Sequence, residues 1–127
     1  MYIAMAAAAV FTLAAIAPSL GAVVGAERYT ATAYCSCSKC CGRWADGLTA
    51  TGKRAHWGTI AADWRLLPRG TRVRLSCFPG QVFVVEDRGG AIKGKRIDVW
   101  HRSHRSALRF GVRGKVQVKI LADRPGH

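Results

Sequence analysis

The sequence predicts an all-β domain in which six short strands close into a barrel, with one short helix before the last strand. From Arg28 onward, apolar or β-branched residues alternate with polar ones at the period of a strand, and helical periodicity is nearly absent. Glycine and proline turns interrupt this pattern at short intervals. A closed barrel is favoured over a sandwich because closure leaves no open strand edges in so small a domain.

The predicted elements follow one another between Tyr29 and Leu121. Each predicted strand is a short run of apolar, aromatic or β-branched residues bounded by turn residues. The strands are predicted at residues 29–34, 59–62, 71–76, 81–86, 96–100 and 115–121. The helix is predicted at residues 103–110, because Ser103 is a favourable N-cap and Gly111 is a favourable terminator.

Residues 1–26 carry no charged side chain and are rich in Ala, Val, Ile and Leu. The small-x-small sequence at 24–26 is typical of a signal peptidase site, so a cleaved signal peptide is predicted. No Lys or Arg precedes the apolar run, which is unusual for a signal peptide, and the run at 3–20 is also long enough for a membrane anchor. Both alternatives place residues 27–127, as one domain, outside the cytoplasm: secreted, periplasmic or associated with the cell wall.

The chain is strongly basic, with 20 Lys and Arg against 7 Asp and Glu and a formal net charge of +13. An exported basic domain suits an anionic partner, and anionic cell-wall polymers are the expected one. The basic residues are scattered and form no block of like charge, so nucleic acid is not expected as a partner. The alternative interpretation is that the charge only confers solubility.

The 5 cysteines are unevenly placed. Four of them crowd together at Cys35, Cys37, Cys40 and Cys41, and Cys77 stands apart. In a small exported domain disulfides are the expected use of such thiols, with at least one cysteine left over. Zinc is the alternative, but the C-x-C-x-x-C-C spacing is not the paired C-x-x-C arrangement of common zinc sites. No metal or cofactor is therefore expected.

The histidines reinforce that expectation, because their mutual spacing is not typical of a metal site. All four are predicted to be surface or loop residues: His56, His101, His104 and His127.

Three aspartates, Asp63, Asp87 and Asp98, each follow an apolar or β-branched run. A carboxylate within or beside a strand must be paired or functional, because burying it alone is expensive. If the strands form one barrel, these acids can converge, and like charges held close raise the pKa of at least one of them. A carboxyl that keeps its proton near neutral pH can donate it to a leaving glycosidic oxygen. The alternative is that the aspartates form ion pairs with the many arginines.

Five motifs occur in a fixed order along the chain. They are Thr-Ala-Thr-Gly at 49–52, Ile-Ala-Ala-Asp at 60–63, Leu-Pro-Arg-Gly-Thr at 67–71, Glu-Asp-Arg-Gly-Gly-Ala-Ile-Lys-Gly at 86–94 and Arg-Ile-Asp-Val-Trp at 96–100. In this order they resemble the 3D domain, a family named for its three aspartates, and the resemblance runs from about residue 29 to residue 121. That family is similar to the catalytic domain of membrane-bound lytic transglycosylase A and to stationary-phase survival proteins. The resemblance implies a six-stranded double-psi β-barrel, an architecture shared with expansins.

The resemblance also implies a reaction. Peptidoglycan glycan strands would be cut at the β-1,4 bond between N-acetylmuramic acid and N-acetylglucosamine, without water, to leave a 1,6-anhydro product. Asp98 matches the catalytic acid, and Asp63 and Asp87 match its hydrogen-bonding companions. The alternative function is a non-catalytic, expansin-like module that binds cell-wall polysaccharide.

Five further residues are predicted to contact substrate. The backbone at Gly89 and Gly90 can approach a sugar closely because it lacks side chains. Lys93 and Thr51 are expected to contact the glycan, with a purely structural turn as the alternative. Trp44 is expected to lie at the rim of the cleft, where its ring can stack on a sugar.

Overall fold

The computed structural model describes residues 26–121, and its six strands close into a mixed barrel in the order β1-β5-β2-β4-β3-β6. The strands are β1 (Glu27–Tyr34), β2 (Thr59–Ala62), β3 (Arg72–Leu75), β4 (Val82–Asp87), β5 (Arg96–Trp100) and β6 (Arg113–Ile120). The predicted six-stranded barrel is confirmed, and all six predicted strands are present within a few residues of their expected ends.

The signal peptide or anchor predicted for residues 1–26 lies outside the described residues, apart from Ala26. Across residues 26–121, none of the helices has the length and apolar character needed to cross a membrane.

The barrel contains two parallel strand pairs, β1 with β5 and β2 with β4. The remaining neighbours run antiparallel. As a result β5 lies between β1 and β2, although it follows both by more than thirty residues in the chain. Closure therefore brings together side chains that the sequence keeps far apart.

Strand β5 shows how the barrel accommodates an acid within a strand. Ile97 and Val99 point inward and are 0% exposed, whereas Arg96, Asp98 and Trp100 alternate with them and are half-buried. Because successive side chains of a strand point to opposite faces, Asp98 lies on the outer face of the barrel. The core receives only the apolar residues of this strand.

Across residues 26–121, two short α-helices and one 3-10 helix lie between the strands. Helix α1 (Ser38–Cys41) and the 3-10 helix Gly42–Trp44 follow β1, and neither was predicted. Helix α2 (His104–Phe110) precedes β6, as predicted. Ser103 accepts a hydrogen bond from the backbone N–H of Ser106 at its start, and Gly111, with φ of +66°, ends it.

The histidine prediction was wrong for His101, which is buried at 6% exposure. Its ring packs against Trp57, Phe78 and Phe110 at centroid distances of 5.5, 6.3 and 5.2 Å. The apolar neighbours come from three separate segments of the chain, so the local sequence around this histidine gave no sign of its burial.

Candidate functional site

The candidate site is a row of side chains that crosses four neighbouring strands. Thr32 of β1 pairs with Asp98 of β5, Asp98 pairs with Ala61 of β2, and Ala61 pairs with Asp87 of β4. A register shift just before Ala61 brings Asp87, rather than Glu86, opposite it. Two of the three predicted acids therefore pair with the same small residue.

Asp98 is half-buried, and its burial affects its pKa. Its pKa is raised above the usual value of an aspartate, chiefly because burial disfavours the charged form. A hydrogen bond of 2.9 Å from Thr32 Oγ1 to Asp98 Oδ1 and the charge of Arg96 oppose that shift, and the charge of Asp87 adds to it. A raised pKa was predicted from the sequence, but burial contributes more to it than the neighbouring acid.

Asp87 is held by hydrogen bonds from three directions. Tyr34 Oη donates to its Oδ2 at 2.8 Å, and the backbone N–H groups of Ala50 and Arg88 each donate to its Oδ1 at 2.9 Å. The pKa of Tyr34 is raised well above its usual range by burial and by the facing charge of Asp87, so its hydroxyl remains a donor. The carboxylate of Asp87 is thereby fixed in orientation.

Asp63 accepts its hydrogen bonds from Arg65 and Gly94. It lies just beyond the end of β2, where Arg65 Nε and Nη2 donate to its Oδ1 and Oδ2 at 3.0 and 2.8 Å. The backbone N–H of Gly94 donates to Oδ2 at 2.9 Å. These bonds, with that of Arg65 first, hold the pKa of Asp63 well below its usual value. Among the described residues, its side-chain hydrogen bonds come from Arg65 and Gly94, and its role beside Asp87 and Asp98 stays a prediction.

Thr51 belongs to a loop that packs against the end of β4. Its Oγ1 donates to Glu86 Oε2 at 2.9 Å, and Lys53 Nζ lies 3.6 Å from the same oxygen. The same loop supplies the Ala50 N–H that binds Asp87. Within the structure the Thr51 hydroxyl therefore orients the loop, and its contact with substrate stays a prediction.

In the glycine-rich loop after β4, Gly89 and Gly90 differ in the space around their Cα atoms. A side chain at Gly89 would come within 3.3 Å of Ile92 Cγ1, whereas one at Gly90 would meet nothing within 4 Å. Packing thus restricts Gly89, and Gly90 is open to an approaching ligand. Lys93 is exposed and lines a shallow pocket of about 150 Å³ together with Asp63 and neighbouring residues.

Trp44, the last of the predicted substrate contacts, ends the 3-10 helix Gly42–Trp44, and its side chain lies outside the described part of the structure.

A larger cavity of about 380 Å³ lies at the beginning of β1. It is lined in part by Tyr29, Leu67 and Ile120, and none of the three aspartates lines it.

The five cysteines are all free thiols in the structure, so the predicted disulfides are not found. The Cys35 Sγ lies 3.0 Å from Cys37 Sγ and 3.4 Å from Cys40 Sγ, whereas a disulfide bond is about 2.05 Å long. Cys41 Sγ donates instead to the backbone oxygen of Cys35, and Cys77 packs against the barrel core.

His104 was predicted to be a surface or loop residue, and it is half-buried at the start of α2. Its Nδ1 lies 3.6 Å from Cys37 Sγ and 3.4 Å from Cys40 Sγ. More than sixty residues separate it from these cysteines, so no local spacing pattern could reveal the contact.

Sequence reasoning also missed Thr32 and Tyr34, which bind the two central acids. The signal was present in β1, where Thr30, Thr32 and Tyr34 occupy alternate positions between alanines. Alternate polar positions mark the outer face of a strand, and only the pairing of β1 with β5 shows which acid that face meets.

Comparison with known proteins places this geometry in context. The family model described as "3D domain" matches residues 58–122. Two Bacillus subtilis (strain 168) proteins are similar: "Putative cell wall shaping protein YabE", 36% identical over 93 residues, and "Cell wall-binding protein YocH", 39% identical over 79 residues. The matches cover 72% and 59% of this chain but only 22% and 26% of those proteins, so the chain spans about a quarter of the length of these relatives.

Solved structures show a similar fold. The crystal structure of the lytic transglycosylase MltA from Escherichia coli is 24% identical, with a TM-score of 0.50 over 61% of this chain and 28% of that one. The D308A variant of the same protein gives 22% identity, the same TM-score and the same coverage. At this level of identity the likeness establishes the barrel fold.

Proposed function

Because the chain belongs to the 3D domain family, we propose that it is an exported lytic transglycosylase of peptidoglycan in which Asp98 is the single acid and base. The substrate in this proposal is the β-1,4 bond between N-acetylmuramic acid and N-acetylglucosamine of the glycan strand. Residues 1–26, uncharged and apolar, would direct export or anchor the protein to the membrane.

The observation that carries the proposal is the environment of Asp98. This acid lies on the outer face of the barrel, its pKa is raised by burial, and the small Ala61 separates it from the fixed carboxylate of Asp87. A carboxyl that retains its proton toward neutral pH is the group that a general acid requires.

The reaction needs one carboxyl in both protonation states. Protonated Asp98 donates its proton to the glycosidic oxygen as the bond from that oxygen to C1 of the muramic acid breaks. The resulting carboxylate then accepts the proton of the C6 hydroxyl of the same sugar, whose oxygen attacks C1 and closes the 1,6-anhydro ring. Asp98 ends the cycle protonated, so neither water nor a separate nucleophile is consumed.

Thr32 is suited to support both states of Asp98. Its Oγ1 lies 2.9 Å from Asp98 Oδ1 and 3.3 Å from the backbone oxygen of Ile97. The hydroxyl can donate to the carboxylate, or donate to the Ile97 carbonyl while it accepts a bond from the protonated carboxyl. Rotation of one hydroxyl thus keeps Asp98 hydrogen-bonded throughout the proposed cycle.

In this proposal Asp87 acts on Asp98 through its charge, and Tyr34 holds Asp87 in place. Asp87 raises the pKa of Asp98, and the hydrogen bond from Tyr34 Oη fixes the distance and direction of that charge. Asp63 would act less directly, because it holds Gly94 and so supports the loop that contains Gly90 and Lys93. The substrate would be contacted by Gly90, Lys93, Gly89, Thr51 and Trp44, as predicted from the sequence.

The proposed reaction is tested by detecting its 1,6-anhydro product. The purified protein is incubated with peptidoglycan sacculi, and the released muropeptides are analysed by mass spectrometry. We expect 1,6-anhydromuropeptides from the wild type, and a loss of about 10³-fold in their rate of release for Asp98→Asn, which is typical for removal of a general acid. Glu27→Gln is the matched control, because it removes an exposed carboxylate that pairs with Lys95 at the beginning of β1.

A second candidate function has specific support. One relative is named a cell wall-binding protein, which favours a non-catalytic module that binds wall polysaccharide through the same face of the barrel. In that case the protein would bind sacculi without forming anhydro product, and Asp98→Asn would bind as the wild type does. Full activity of Asp98→Asn would instead mean that another residue is the acid.

A further inference from the structure

Four possible metal ligands from two distant segments meet on the outside of the barrel. Cys35, Cys37 and Cys40 follow β1, and His104 is the first residue of α2. Their Sγ and Nδ1 atoms all lie within 4.8 Å of one another. None of these residues takes part in the row of acids.

The distances between these atoms suit a shared metal ion. In a tetrahedral zinc site with Zn–S bonds of about 2.3 Å and a Zn–N bond of about 2.0 Å, neighbouring ligand atoms are about 3.5 to 3.8 Å apart. Cys37 Sγ and Cys40 Sγ lie 3.6 and 3.4 Å from His104 Nδ1, and Cys40 Sγ lies 3.4 Å from Cys35 Sγ. The shortest pair, Cys35 Sγ and Cys37 Sγ at 3.0 Å, needs only a small displacement to fit and is well beyond disulfide length.

We propose that Cys35, Cys37, Cys40 and His104 bind one zinc ion in a structural Cys3His site. Three sulfur ligands and one nitrogen ligand are a donor set of structural zinc sites, and four protein ligands leave no open position for catalysis. This proposal concerns the fold and does not depend on the proposed enzymatic activity.

The backbone around the cysteines forms a tight turn. The carbonyl oxygen of Cys37 accepts from the N–H groups of Cys40 and Cys41 at 3.1 and 2.9 Å. Hydrogen bonds of this kind around a metal site hold its ligands in position. Three thiolates and one Zn²⁺ carry a net charge of −1, which a chain of net charge +13 readily accommodates.

The proposed zinc would act as a clamp at the end of β1. Tyr34, which holds Asp87, directly precedes Cys35, and Ser36 accepts a hydrogen bond from Trp100 Nε1 at 2.9 Å. The backbone N–H of His101 also donates to the oxygen of Tyr34 at 2.7 Å. Zinc would join these contacts into one rigid unit that links β1 to α2.

The first measurement is the metal content of the protein, purified and kept under reducing conditions. We expect about one zinc per chain by inductively coupled plasma mass spectrometry, with Cys37→Ser, Cys40→Ser and His104→Ala reduced to below about a tenth of that value. Cys77→Ser and Cys41→Ser are the matched controls and should keep the full zinc content, because neither sulfur belongs to the cluster.

The second measurement keeps the proposal testable if the ligand variants do not fold. Titration of metal-free wild type with Co²⁺ should give the intense visible d–d bands of a tetrahedral ion and a thiolate-to-cobalt charge-transfer band, both saturating at about one equivalent. Addition of Zn²⁺ should remove both bands, because zinc has no d–d transitions and displaces cobalt.

Three results would overturn the proposal. One is a reduced wild-type protein that binds neither Zn²⁺ nor Co²⁺ in this way. Another is a zinc content that is unchanged in all three ligand variants. The last is a natively purified, zinc-free protein in which mass spectrometry finds the clustered cysteines joined as disulfides.

Discussion

Asp63 and Asp98 are the same type of residue, but their surroundings push their pKa values in opposite directions. Asp63 accepts hydrogen bonds from Arg65 and Gly94 that favour its charged form. Asp98 is half-buried, desolvation disfavours its charged form, and its described side-chain hydrogen bond comes from the neutral hydroxyl of Thr32. Asp63 should therefore stabilise the folded protein as a carboxylate, whereas a charged Asp98 should weaken it.

Replacing Asp63 by Asn should lower the thermal stability at neutral pH. Because the folded-state pKa of Asp63 is depressed, its contribution is present above the unfolded pKa of about 3.9 and is lost as the pH falls toward the folded value. The difference in Tm between wild type and Asp63→Asn should therefore shrink as the pH is lowered from 7 toward about 3. Circular dichroism melting at several pH values measures this, and an equal difference at every pH would contradict the role of the charge.

Replacing Asp98 by Asn should have the opposite effect on stability. Because the folded-state pKa of Asp98 is raised, the wild type loses stability as the pH rises from about 3.9 through the folded value. Asn cannot ionise, so the Tm of Asp98→Asn should exceed that of wild type at neutral pH and should match or fall below it at acidic pH. A variant that melts lower than wild type at neutral pH would show that the carboxylate of Asp98 is not destabilising.

The Tyr34 hydroxyl offers a test of how Asp87 is held. Tyr34→Phe removes the bond to Asp87 Oδ2, and a lost hydrogen bond to a charged group should lower the free energy of unfolding by about 1.5 to 3 kcal/mol. The release of anhydro product, measured separately, should also fall, by roughly 10-fold for a misplaced charge.

Tyr29→Phe is the matched control, because it removes the same hydroxyl from the same strand away from Asp87. Equal losses of stability and activity in the two variants would mean that the contact with Asp87 has no special role.

The sequence identified the acids but not their partners. Asp98 stood out because an acid between Ile97 and Val99 interrupts an apolar strand. Thr32 and Arg65 did not stand out, because threonines and arginines are common in strands and loops and their contacts depend on pairing at a distance. Asp63 was grouped with the other two acids on its local pattern, which did not reveal the hydrogen bonds that Arg65 donates to it.

At the scale of elements, the strands and helix α2 were predictable, whereas helix α1 and the 3-10 helix were not. Strand β5 combines a period-two burial pattern with β-branched residues, and it was predicted with its observed bounds. Helix α1 has only four residues, no side-chain cap and no buried side chain. Its tertiary contacts include those of Cys37 Sγ and Cys40 Sγ with His104, which lies more than sixty residues away in the sequence.

Helix α2 should depend on its N-cap. Ser103 satisfies the N–H of Ser106, and replacing an N-cap Ser by Ala typically lowers stability by about 1 kcal/mol. We therefore expect Ser103→Ala to lower the free energy of unfolding by that amount in urea denaturation. Ser106→Ala is the matched control, because it keeps the backbone donor and introduces a residue that favours helix; it should be neutral or slightly stabilising. An equally stable Ser103→Ala would show that the contacts of α2 with the barrel fix its start instead.

At the scale of the whole molecule, closure of the barrel creates the candidate site. The row of Thr32, Asp98, Ala61 and Asp87 exists because β5 and β2 are neighbours and because a register shift precedes Ala61. Barrel closure could be argued from strand number and edge protection. Register could not, because a shift of two residues keeps the apolar side chains of a strand on the same face and changes which side chains meet.

The net charge of the whole chain gives a prediction that is separate from the site. With a net charge of +13, the protein should bind the anionic polymers of a cell wall through screened electrostatic attraction. The Debye length falls from about 14 Å in 0.05 M salt to about 4 Å in 0.5 M salt, so binding to intact sacculi should weaken by about 10-fold or more over that range.

Sacculi stripped of their anionic polymers are the control for this measurement. If glycan contacts near Asp98 recognise the sugar, the residual binding should be weaker but nearly independent of salt, because neutral sugars carry no charge to screen. A binding constant that is insensitive to salt on both materials would show that the basic surface serves another purpose than attachment to the wall.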